Sequence, residues 1–199
     1  MTRKKIGTRA SSVVQERNAP AFEIPNPKLE ITGRTSSRRV RQEAGLWLKN
    51  EQRVRPINKR FLARIVRRLL NDLLRVEDHD LAIHLIGEKK MTELNETILY
   101  HAGTTDVITF DYSIESPALL AGEIFVCVDE ALLQAERFRT TWQSELVRYI
   151  VHGVLHLLGH DDLKAAARAK MKREENRLVR ELGQEFDLRK LGVKTRVTG

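Results

Sequence analysis

From His152 to Asp162 the chain reads HGVLHLLGHDD, and no other segment restricts its fold and chemistry as much. Two histidines four residues apart on an apolar helix place both imidazoles on one face, within reach of one ion. Gly159 is expected to stop that helix in a left-handed cap. His160, Asp161 and Asp162 then fall in the turn, where a third donor can return to the same point. One helix and one turn thus make a three-donor metal site with an open position, the arrangement that holds an activated water in a hydrolase.

A lone histidine on such a helix reads as a core residue with a satisfied hydrogen bond. The pair, followed by glycine and two acids, reads as metal. Asp162, ten residues after the first histidine, is favoured as the third ligand, although an Asp directly before Leu163 is also a helix N-cap. His160 is the rival third ligand, a softer donor placed two residues nearer the helix end. Two neutral imidazoles plus one further donor suit one zinc ion per chain, with nickel or another divalent ion as the alternative.

Charge is distributed unevenly. The chain of 199 residues carries a formal +8, but residues 1–43 hold 10 Lys and Arg against 4 Glu, and the remainder 25 against 23. The first 43 residues lack apolar periodicity, so they read as a largely disordered basic arm that contacts nucleic acid or only keeps the chain in solution. One folded domain is expected over residues 44–185, with a flexible tail at 186–199. The single Cys127 excludes a disulfide framework. No apolar run reaches the roughly 18–20 residues of a membrane span, and the start of the chain lacks the apolar core of a signal peptide. A cytoplasmic protein without membrane contact is the expectation.

Periodicity places the elements. GLWLKNEQ reads as a first strand, and residues 57–74 as a helix whose buried stripe is Phe61, Leu62, Ile65, Val66, Leu69, Leu70 and Leu73. Its opposite side holds Arg60, Arg64, Arg67 and Arg68, either a solvated face or a ridge for phosphates. Strands follow at 80–87, 106–112 and 122–131, the last nearly all apolar and therefore central. His84 reads as a strand residue with a satisfied ring. Helices are expected at 90–100, 128–138, 141–158 (with Thr140 and Gln143 as a capping box) and 163–182, closed by Gly183. The order of elements gives an α+β or α/β layer.

The residue after the first histidine decides between reactions. Zinc proteases with an HExxH helix use that Glu as general base, and here the position is Gly153. Phosphodiester cleavage needs a metal-activated nucleophile and positive charge for the phosphorane oxygens, which a basic chain supplies.

HGVLHLLGHDD resembles the HGxLHLxG-aromatic-DH signature of the YbeY family of endoribonucleases, whose three histidines bind zinc. LNETILYHAGTTDVITFDY is similar to that family's Leu-Asn and Thr-Asp-Val-Leu-Ser-Phe segment, and LLAGEIFVCVDEA to its Leu-Gly-Asp-Ile strand. The resemblance covers about residues 46–182 and leaves out the basic arm. It implies a single-strand-specific metallo-endoribonuclease of ribosomal RNA maturation, notably at the 3′ end of the small-subunit RNA, and of ribosome quality control. The partner would be ribosomal RNA in the small subunit, with no DNA. The implied fold is α+β, with a mixed four-stranded sheet and about five helices around a metal cleft at the helix-glycine-turn motif.

Carried over by position, the zinc ligands are His152, His156 and Asp162, the last standing where the family has histidine. His160 replaces the aromatic residue. The family's substrate-contacting Arg falls on Leu99, so phosphate contact would pass to His101 or to an Arg such as Arg139. Thr105 and Asp106 match the family, although Asp106 before a strand also suits a turn. Glu123 is a candidate general base, where the family strand has Asp. Three other functions fit the residues, a catalytically weak RNA-binding ribosome-assembly factor with structural zinc, a zincin-type metalloprotease and a different metallohydrolase on the same scaffold.

Overall fold

The computed structural model describes residues 15–16, 45–113 and 119–193. They form β1 (Gln15–Glu16), β2 (Leu46–Asn50), α1 (Lys59–Arg67) continued by a π-helical turn (Arg68–Leu73), β3 (His79–Ile86) and α2 (Glu88–Thr97). There follow β4 (Val107–Asp111), β5 (Leu120–Cys127), α3 (Val128–Phe138), α4 (Trp142–Leu157), α5 (Ala165–Glu185) and a 3₁₀ turn (Leu188–Leu191). Four longer strands make a mixed sheet in the order β4-β5-β3-β2. In it β2, β3 and β5 run parallel, and β4 is antiparallel to β5. This is the expected α+β architecture with five α-helices. One short strand is added: β1 pairs parallel with the outer edge of β4. The rest of the basic arm, and residues 194–199 of the tail, lie outside the described residues.

Strand alternation divides the core in two. Leu81, Ile83, Leu85, Val107, Ile124 and Val126 face one side, in the larger cluster with residues of α1, α3, α4 and α5. Ile86, Ile108, Phe110, Phe125 and Cys127 face the other side, in a smaller cluster with Met91 of α2 and with Leu99 just after it. Helix α4 runs through the larger core, and every residue from Glu145 to Leu157 except Arg148 is buried.

Three boundaries differ from the sequence reading, each for a local reason. Thr141, not Thr140, caps α4 by accepting from the Ser144 N–H at 3.2 Å, while the Thr140 hydroxyl donates to the Glu145 carboxylate at 2.7 Å. Helix α5 starts at Ala165 rather than at 163, and it runs through Gly183 to Glu185. Residues 186–193 are not a loose tail. Phe186 meets Phe61 edge-on at 5.8 Å, the Asn58 N–H donates to the Leu191 carbonyl at 2.9 Å, and Leu191 is fully buried. That packing carries the helix past its glycine.

At the end of β2, Glu51 receives Lys49 and Lys90. Burial pushes its carboxyl up, but the two ammonium groups outweigh this and hold it at about 2, against an ordinary 4.5. A depressed folded value means stabilisation that is present above about pH 4.5 and lost as pH falls towards 2. Glu51→Gln should therefore melt below the wild type at pH 7, with the gap closing over that acid window in thermal scans. A gap independent of pH would contradict this assignment.

Candidate metal centre

His152 and His156 lie one turn apart on the buried part of α4, 7% and 3% exposed, with their Nε2 atoms 3.1 Å apart. Helix α4 ends in a Schellman motif: the Gly159 N–H donates to the His156 carbonyl and the His160 N–H to the Leu155 carbonyl. Gly159 sits at φ +82°, the left-handed cap expected of it. The turn then brings an Asp162 carboxylate oxygen within 4.8 Å of ring nitrogens of both histidines, so that one donor atom from each residue gathers at one place. Among the described residues no other set of three His, Cys, Asp or Glu side chains gathers in this way.

Asp162 is not used as a helix cap. Lys164 occupies the N-cap of α5 without a side-chain bond, and Asp161 Oδ1 accepts from the Leu163 N–H at 2.9 Å. Asp161 thus closes the turn and leaves the next carboxylate turned to the histidines. His160 lies outside the gathered group; its ring acts electrostatically on Glu174 of α5.

A fourth residue, Glu175, supports the histidines from α5. Its Oε2 lies 3.0 Å from His152 Nδ1 and it is 2% exposed. Burial pushes this carboxyl up, but His152, Lys172 and Arg148 more than offset it and hold it at about 2, so it is ionised. A carboxylate on Nδ1 fixes the tautomer that leaves Nε2 with its lone pair directed at an ion. Burial, reinforced by the neighbouring His152, lowers the His156 imidazole to about 4, which keeps it in the neutral, ligand-competent form. Glu175 went unnoticed in the sequence, yet a signal was there. It interrupts the α5 core stripe of Met171, Leu178, Val179 and Leu182, a charge where helical spacing calls for an apolar side chain.

The other candidates lie elsewhere. Gly122 and Ile124 face α4, so by alternation Glu123 projects from the opposite side of the sheet. There its Oε2 is 3.6 Å from His84 Nε2 and burial raises its pKa; it is not a base at the metal centre. His84 is buried and stacks on Phe125 at 4.4 Å. Leu99 is 6% exposed in the small core beside α2, an apolar hole that suits leucine and not a phosphate-binding arginine. His101 is exposed in the α2–β4 loop. Asp106 Oδ1 accepts from the Thr105 hydroxyl and the Val107 N–H and so organises the start of β4. Arg139 caps α3 in the left-handed conformation, ahead of Trp142. From Trp142 to His152 the helix rises about 15 Å, so Arg139 sits at the far end of α4 from the centre.

On α1, Arg60, Arg64 and Arg67 are exposed. Arg64 lies over the Phe61 and Phe186 rings at 5.8 and 5.9 Å. Arg68 is paired with two carboxylates, Asp72 at 3.2 Å and Glu185 at 2.7 Å, which suits a solvated face better than a ridge for phosphates. Glu185 stands ten residues beyond Glu175, about 15 Å along α5, so this arginine face is distant from the metal centre. The cations beside the centre are Arg148 and Lys172, both on Glu175, and Arg168 on the Asp162 turn.

Gly153 has a steric reason. A Cβ there would come within 2.8 Å of Ile124 Cγ2 and 3.2 Å of Thr109 Cγ2, because α4 lies directly on the sheet at this point. The glutamate of an HExxH protease therefore has no room in this fold.

Comparison with known proteins gives a consistent result. Residues 47–183 match the family described as endoribonuclease YbeY. Endoribonuclease YbeY of Chlorobium phaeovibrioides is 39% identical over 97 residues, 49% of this chain, and the matched stretch spans 64% of that protein's length. Its counterpart in Chlorobium phaeobacteroides is 35% identical over 128 residues, 64% of this chain and 91% of that protein. The solution structure of TM1509 from Thermotoga maritima shares the fold, with a TM-score of 0.56 at 23% identity over 78% of this chain and 100% of that one. Among the described residues no helix is long and apolar enough to cross a membrane.

Proposed function

Because the chain belongs to the endoribonuclease YbeY family, hydrolases that act on RNA, we propose that it cuts single-stranded RNA with one zinc ion held by His152, His156 and Asp162. Its substrate in this reading is ribosomal RNA of the small subunit, with a role in 3′-end maturation and ribosome quality control in the cytoplasm. The observation that carries the metal part is the convergence of two buried imidazoles and one carboxylate, with Glu175 behind His152. That donor set fits zinc, since neutral nitrogen ligands and a single oxygen ligand are among its usual partners.

Zinc in this site would supply Lewis acidity towards a phosphodiester oxygen and lower the pKa of water to about 7. The chain's own groups do the rest. Glu175 orients His152, and Arg148 and Lys172 hold that carboxylate ionised. Lys164, two residues after Asp162, and Arg173, two before Glu175, are both exposed and offer charge to the phosphates of a bound strand. Arg60 and Arg67, about 15 Å further along, would meet a more distant part of it. Asp162 adds one negative charge and a harder donor than the histidine that the family signature carries there.

The test compares the wild type with Asp162→Ala for zinc content and for cleavage of single-stranded and duplex oligoribonucleotides. The wild type should hold about one zinc per chain and cut the single strand only, and the variant should lose both properties. A variant with full zinc would refute the ligand assignment. A zinc-loaded wild type that leaves single-stranded RNA intact would favour the assembly-factor reading.

A further inference from the structure

Two of the three donors stand on a buried helix whose backbone is fixed by its own hydrogen bonds, but Asp162 stands on the turn between α4 and α5. The position of the third donor therefore depends on what holds that turn. Gly159 closes its beginning and Asp161 its middle. Its last part is held by Arg168, one turn into α5: Nε donates to the Asp162 carbonyl at 2.8 Å and an Nη to the Leu163 carbonyl at 3.2 Å.

We propose that Arg168 is the positioning residue of the metal centre, a planar clamp on two successive carbonyls that fixes the backbone from which the Asp162 carboxylate reaches the ion; this rests on the ligand set proposed above. The planar fork matters, because it sets two peptide planes relative to each other, which a point charge does not do. The placement argues in the same direction. A cation in the first turns of a helix opposes the helix dipole, and the first turn of α5 holds neither an acidic residue nor a side-chain cap to compensate. The two turn carbonyls are the contacts that offset it. Arg168 is exposed and fills no part of the core, so its removal tests the turn rather than the fold.

The experiment measures Zn²⁺ affinity of the full chain by competition with a chromophoric chelator, with the visible spectrum of the Co²⁺-loaded protein as a readout of ligand geometry. Arg168→Ala should raise the zinc Kd about tenfold or more, within the range of 10–100-fold for outer partners of a ligand. The cobalt spectrum should change, and the melting midpoint of the metal-free protein should stay that of the wild type. Arg168→Lys should lie between, and Lys170→Ala should match the wild type. An Arg168→Ala Kd within about twofold of the wild type, or an equal loss in Lys170→Ala, overturns the inference. Asp162→Ala in the same assay separates the two levels. If it weakens binding while Arg168→Ala does not, only the positioning role fails; if it binds as tightly as the wild type, the ligand set fails.

Discussion

His156→Ala is expected to lower cleavage of single-stranded RNA by about two orders of magnitude or more and to leave the chain without zinc after dialysis. Changing a residue that only supports a ligand typically costs 10–100-fold, and His156 is itself one of the three donors in the proposed site. Its imidazole is 3% exposed and held neutral, with Nε2 3.1 Å from that of His152, so no imidazolium has to lose its charge before binding at neutral pH. Alanine removes the donor and also leaves a hole in α4, which alone would lower stability. His156→Gln fills more of the hole without restoring an imidazole. Zinc analysis, RNA cleavage and metal-free melting of both variants separate these effects. If either variant binds zinc as the wild type does, His156 is not a ligand.

Gly153→Glu is expected to prevent folding rather than to create a protease. The added Cβ would stand 2.8 Å from Ile124 Cγ2, and overpacking of this kind costs about 1–3 kcal/mol, more than the helix propensity gained over glycine. The carboxylate beyond it would be pressed against Ile124 and Thr109 of the sheet, and an uncompensated buried charge costs about 3–5 kcal/mol. Together these approach the whole stability of a domain, about 5–15 kcal/mol. Soluble yield, circular dichroism and melting report the outcome, and a variant that melts within a few degrees of the wild type would show that α4 can lift from the sheet. Gly153→Ala isolates the Cβ and should fold, with a lowered midpoint.

Features governed by neighbouring residues were legible in the chain itself. The histidine pair, the glycine cap and the strand faces follow from helical and strand periods, and the structure has Gly159 left-handed and His152 and His156 on one side of α4. Features that depend on how separate elements meet were not legible. Glu123 and Asp162 were both acidic candidates. The pleat directs Glu123 through the sheet to His84, while a turn closed by Asp161 brings Asp162 back to the histidines. Arg139 is near α4 in sequence but at its opposite end in space, and Leu99 proved to be core.

The order of the residues alone therefore determined a layered fold of helices and strands, α+β or α/β, and the helix that presents two imidazoles, because both arise from local backbone geometry and the burial of one face; the family resemblance narrowed the class to α+β. Only the tertiary structure decided what stands behind and around those imidazoles. Glu175 and Arg168 come from α5, and their distances to His152 and to the Asp162 turn depend on how α5 docks against α4. That docking is set by the packing of two long stripes, which no local period encodes.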